Sequence, residues 1–149
     1  MVEIIIGSAI IVAAILAIDS AYNTYFQYAL LNQRNAEVAY LLEEELETVS
    51  FLRDTSWTTK IAALSTSTTY YLSWASGTWS ATATPQYVDG LFLRSFNISD
   101  VKRNGSDDIS ASGTYDPNTK LITASVSYTA GQSTTTKTMS SYIANFYDN

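Results

Sequence analysis

From Ile4 to Ile18 the chain runs fifteen residues without a charge, dominated by Ile, Ala, Val and Leu, so a helix built on this stretch is apolar on every face. At residue 38 the pattern becomes one-sided. Val38, Leu42, Leu46, Val49 and Leu52 recur at spacings of four, four, three and three, which places them in one stripe of an α-helix. Between Met1 and Trp74 the only Gly is Gly7 and there is no Pro, so no local chemistry stops the helix before the Ser/Thr-rich stretch at Thr55. The pattern predicts one helix over residues 1–54, roughly 80 Å long at 1.5 Å per residue. A head of modest size cannot cover all sides of such a rod. Residues 1–28 are therefore expected to meet lipid or partner helices, and residues 29–54 to dock on the head through the stripe.

Beyond Asp54 the period changes from helical to alternating. The stretches 68–74, 90–98, 120–129 and 135–143 are rich in β-branched and aromatic residues and bounded by turn signals, and are predicted to form one antiparallel sheet. Ile122, Ala124, Val126 and Tyr128 alternate with Thr123, Ser125 and Ser127, so one face should pack on the helix stripe and the other face water. Turns are expected at Ala130-Gly131-Gln132-Ser133 and at Asp116-Pro117-Asn118-Thr119, where Asp and Pro occupy the first two positions. The fold class that follows is α+β: a long N-terminal helix whose C-terminal half packs on a small antiparallel sheet, with the head at 55–149.

Composition sharpens the division. The net charge of −6 resides entirely in residues 1–54, which hold all six Glu, whereas the remainder is balanced and carries 33 of the 38 Ser and Thr residues. An acidic chain is a poor match for phosphates, so no nucleic-acid partner is expected. Histidine and cysteine are absent, which excludes histidine-based triads, the usual zinc and haem sites, and any disulfide framework. No catalytic residue, cofactor or metal is assigned. Asp107, Asp108 and Asp116 lack the spacing of a calcium loop and are expected to be solvated, as is the acidic run Glu43–Glu47, which offers no cleft for paired-carboxylate chemistry. Asn97 and Asn104 stand in Asn-x-Ser patterns too short to argue from. At least two of Trp57, Trp74 and Trp79 are expected in the core, the alternative being a stacking surface.

The first helix has the marks of a membrane segment. Fifteen apolar residues are short for a span, but Met1 to Leu31 would cross a bilayer with Glu3 and Asp19 near its edges and Tyr22, Tyr25, Phe26 and Tyr28 in the interfacial belt. A cleaved signal peptide is disfavoured because no basic residue precedes the run, no small-x-small site ends it, and the helical pattern continues through Asp19. Glu3 is the informative position. A carboxylate in an apolar stretch costs a few kcal/mol, whereas the helix dipole returns only about 0.3–1 kcal/mol in the first turn. It is either a helix-start acid at the lipid interface or a charge whose partner lies on another copy of the chain.

These residues resemble the N-terminal helix of the type IV pilin and pseudopilin superfamily. The similarity rests on Val2-Glu3-Ile4-Ile5-Ile6-Gly7-Ser8-Ala9-Ile10, and on Ser20-Ala21-Tyr22-Asn23-Thr24-Tyr25, which is similar to a Pro-Ala-Tyr-x-x-Tyr segment common in that superfamily. The stretch Ala39–Glu47, with Leu52-Arg53-Asp54, Trp57 and Asn145-Phe146, further resembles pilin-like proteins of candidate-phyla, ultrasmall bacteria. The glutamate stands two residues earlier than in typical processed pilins, and Ser20 stands where many members carry proline.

The resemblance implies a single-pass precursor in the cytoplasmic membrane, a prepilin peptidase, a methylated N-terminus, assembly machinery, and an extracellular filament of identical subunits serving adhesion or motility. It further implies that Glu3 pairs with the N-terminal amine at Met1 of a neighbour. Ile4, Ile5, Ile10, Ile11, Leu16, Tyr22 and Tyr25 would then pack the filament core. The alternative is a minor pseudopilin or a membrane-tethered binding module outside the cytoplasm; an enzyme ranks third.

Overall fold

In the computed structural model the structure describes residues 1–130 and 133–146, and the long helix is continuous: α1 spans Val2–Thr55 and runs unbroken through Ser20. The chain divides into two units, Met1–Glu37 and Val38–Asn149. The division falls inside the helix, at the point where the stripe begins. Burial begins at Val38 rather than at residue 29.

In the second unit α1 ends where Ser56 turns extended, and its hydroxyl caps a short helix α2 (Trp57–Lys60) by accepting from the Thr59 amide at 3.3 Å. Trp57 thereby enters the core. Among the described residues six strands follow: β1 (Tyr71–Ala75), β2 (Thr78–Thr82), β3 (Tyr87–Val88), β4 (Phe92–Arg103), β5 (Thr114–Ala130) and β6 (Ser133–Ala144). They form two sheets, not the single one expected. β3-β4-β5-β6 is an antiparallel four-stranded sheet, and β1 pairs with β2 in a separate ribbon. The reason is local: Ser76 and Gly77 both take positive φ, 53° and 76°, which makes a two-residue turn that folds β1 back on β2. Just before β1, Tyr70 forms an isolated bridge to Phe96 of β4, and Leu72, Trp79 and Ala81 of the ribbon pack in the cluster that holds Phe96 and Ile98.

The expected turn at 116–119 is a bulge inside β5. Asp100 pairs with Lys120 and Val101 with Asp116, so Pro117, Asn118 and Thr119 have no partner in β4. The turn chemistry still operates there, with the Asn118 amide donating to Asp116 Oδ1 at 2.9 Å. The turn from β5 to β6 is closed by the pair Ala130 and Ser133, while Gly131 and Gln132 at its centre lie outside the described residues.

Two apolar clusters fill the space between α1 and the sheet. Val38, Leu41 and Leu42 meet Phe92, Ala124, Val126 and Tyr128; Val49 and Leu52 meet Trp57, Ile61, Leu72, Phe96, Ile98, Ile122 and Ile143. Leu46 borders both. The fold is α+β, with the predicted stripe docked on the predicted strand face. Ile122 is fully buried opposite Ile98, so Ile122→Asp places an unpaired charge in the core at a cost of several kcal/mol. Loss of the cooperative melt in circular dichroism is expected, and a melt like the wild type's would contradict the inward placement. Val126 is a less stringent site for the same test, because it sits across from Arg94.

Candidate functional site

The residues assigned to filament-core packing lie in the first unit. Ile4, Ile5, Ile10, Ile11, Leu16, Tyr22 and Tyr25 are each 61–76% exposed among the described residues. α1 contains an eighteen-residue window long and apolar enough to cross a membrane, none of it buried. Two of its hydroxyls bond within the helix. Ser8 donates to the Ile5 carbonyl and Thr24 to the Ser20 carbonyl, both at 2.9 Å, which lowers the cost of placing them in lipid. Glu3 lies in the first turn, where the amide of Ile5 reaches the Met1 carbonyl at 3.4 Å.

The second set of assigned residues is brought together. Val38, Leu42, Val49 and Leu52 are buried and Leu46 is half-buried, all facing β4 and β5. Within this stripe sits a residue that the acidic run concealed. Glu43, Glu44 and Glu47 are exposed as expected, but Glu45 is fully buried. Burial pushes its carboxyl up from 4.5 to about 8; the positive charge of Arg94 and the backbone of Ser125 pull it back only in part, and Glu44 adds to the rise. Neither carboxyl oxygen has a hydrogen-bond partner among the described residues. Spacing carries the missing signal: Val38, Glu45 and Leu52 are seven apart, so position 45 belongs to the apolar stripe whatever residue fills it.

Arg94 is its counterpart on the sheet. Phe92, Arg94, Phe96 and Ile98 alternate inward along β4, so period two alone aims Arg94 at α1. Its Nη1 lies 2.9 Å from Oε2 of Glu44, off the line of a hydrogen bond, and its guanidinium carbon is 5.7 Å from the centre of the Trp79 ring. Trp79 packs against the core and Trp57 is buried, whereas Trp74 is exposed. At the bulge Arg103 ties the loop to β5. It reaches Asp116 Oδ2 at 2.7 Å, the Asp107 carbonyl at 2.8 Å and the Thr119 hydroxyl at 3.2 Å. The Thr119 hydroxyl and this guanidinium hold the Asp116 carboxyl below its usual range. Among the described residues no group of three or more Asp and Glu side chains is placed to hold a metal ion.

No protein-family model, no curated protein and no solved structure matches the chain. The functional reading therefore rests on the chemistry of the two units. α1 supplies an exposed apolar segment, compatible with a membrane anchor, and the unit from Val38 onward is a compact α+β head.

Proposed function

We propose that the chain is a structural subunit of the pilin type. The N-terminal segment holds it in the membrane as a single-pass precursor and then packs against the same segment of identical copies in an extracellular filament that serves adhesion or motility. The observation that carries this reading is the contrast along one helix: an apolar window none of which is buried within the described residues and, from Val38 onward, a stripe buried against the sheet except at the half-buried Leu46. Aliphatic side chains left open in this number are unstable in water, so lipid or like helices must enclose them. The resemblance of Val2–Ile10 to the pilin superfamily supports the second enclosure and implies a prepilin peptidase, assembly machinery and a methylated N-terminus. A minor pseudopilin or a membrane-tethered binding module is the second reading, favoured by the exposed indole of Trp74.

Deleting residues 1–28 tests the division of labour. Because the stripe from Val38 is retained, the expected product is a soluble, cooperatively folded monomer that forms no filaments, checked by light scattering and electron microscopy. Filaments from the deletion variant would overturn the proposal.

A further inference from the structure

A groove of about 360 Å³ opens on the second unit between α1 and the β1–β2 ribbon, lined by Glu47, Thr48, Phe51, Trp74 and Trp79. Trp74 and Trp79 are direct cross-strand partners, their ring centres 5.1 Å apart and their planes at 60°. They therefore form two walls at an angle rather than one flat platform. Phe51 is 55% exposed and Trp74 59%, so two large rings are left out of the core on the same side of the head. Glu47 precedes Phe51 by four residues on α1, which puts its carboxylate on the helix face that carries that ring.

We propose that this groove binds a methylated ammonium group, as carried by choline or by trimethylated lysine. This inference is independent of whether the chain forms filaments. The exposed rings of Trp74 and Phe51 and the acidic side chain of Glu47 supply the two attractions such a cation needs, negative ring faces and an opposite charge, while Trp79, whose ring Arg94 already approaches at 5.7 Å, completes the wall. The charges at the groove complement it: Arg94 is paired with Glu44, and among the described residues Glu47, which lines the groove, forms no ion pair. A plain ammonium fits less well, because it must shed strongly bound water and finds a single acceptor. A sugar fits less well too. Stacked sugars require hydrogen bonds around the ring, and here the Thr48 hydroxyl already donates to the Glu44 carbonyl at 2.7 Å.

The test is a fluorescence titration of the full chain in a polyoxyethylene detergent, using its tryptophans as reporters and holding ionic strength constant. Choline chloride and trimethyl-lysine are the probes, distinguishing a free from a peptide-borne cation. The uncharged choline isostere 3,3-dimethylbutan-1-ol and maltose are the comparators. Saturable quenching by either cation in the millimolar range is expected, with the uncharged isostere about tenfold weaker or more. Trp74→Ala should lose about tenfold in affinity, and Glu47→Gln roughly threefold to fivefold, with thermal melts unchanged because both side chains are exposed. Equal binding of choline and its uncharged isostere would overturn the proposal, as would saturation by maltose without saturation by either cation. Wild-type affinity in Trp74→Ala would overturn it as well.

Discussion

Between about pH 5 and pH 8.5 the wild-type head should lose on the order of 3 kcal/mol of stability that a Glu45→Gln variant keeps. The folded carboxyl titrates at about 8 and the unfolded one near 4.5, so across that window the folded chain holds a proton that the unfolded chain has released. The sign follows directly. The contribution is fully present below about pH 4.5 and is lost as pH rises through about 8. Asp116 acts in the opposite sense: its lowered value gives stability that is lost as pH falls below the usual carboxylate range, outside the window of the Glu45 effect. Urea melts of the two proteins at both pH values provide the measurement. Parallel pH profiles would show that Glu45 is solvated or paired in the folded state. Glu45→Leu should also be more stable than wild type at pH 8.5, since an apolar side chain at a fully buried site carries no desolvation penalty.

Glu3→Ala and Glu3→Gln should reduce filament yield at least tenfold while leaving the fold of the head and the membrane-bound subunit level unchanged. In a bundle of N-terminal helices the first turns are packed away from water, and a lone carboxylate there must be paired or neutralised at a cost of several kcal/mol. The chain has no Lys or Arg before Arg34, roughly 45 Å further along the helix at 1.5 Å per residue. In the proposed filament the resemblance to pilins implies that the N-terminal amine of a neighbouring subunit supplies the cation. Such a contact also sets the axial register, because a subunit displaced along the fibre leaves two charges unpaired in a low dielectric. Yield is read as sheared filament per cell beside the membrane-bound subunit. Wild-type yield from both variants would reduce Glu3 to a helix-start acid.

The long helix was legible because its signals are local: a run without Pro, one Gly, and a stripe at helical spacing from Val38 to Leu52. The strand face was legible for the same reason, since Ile122, Ala124, Val126 and Tyr128 alternate without interruption. What escaped depends on a few residues overriding a broader pattern. Ser76-Gly77 is a two-residue turn whose sequence cue is weak, and it splits off β1 and β2 as a separate ribbon. Asp116-Pro117-Asn118-Thr119 has the chemistry of a turn and spends it on a bulge, because β5 continues to pair with Val101, Lys102 and Arg103 beyond it. Glu45 was hidden by composition: in a run of acidic residues the eye takes all for solvent-facing, whereas helical phase puts one in the core. Trp74 and Trp79 became a groove only once the ribbon brought them together with Glu47 and Phe51, a juxtaposition no spacing in the sequence encodes.

The most direct measurement of the central claim is electron microscopy of material sheared from the cell surface, with mass spectrometry of its main protein. The account predicts thin filaments made of this chain, with the helices of residues 1–28 bundled at the axis and the Ser/Thr-rich sheets outside. Filaments lacking this chain, with all of it retained in the membrane fraction, would contradict the account.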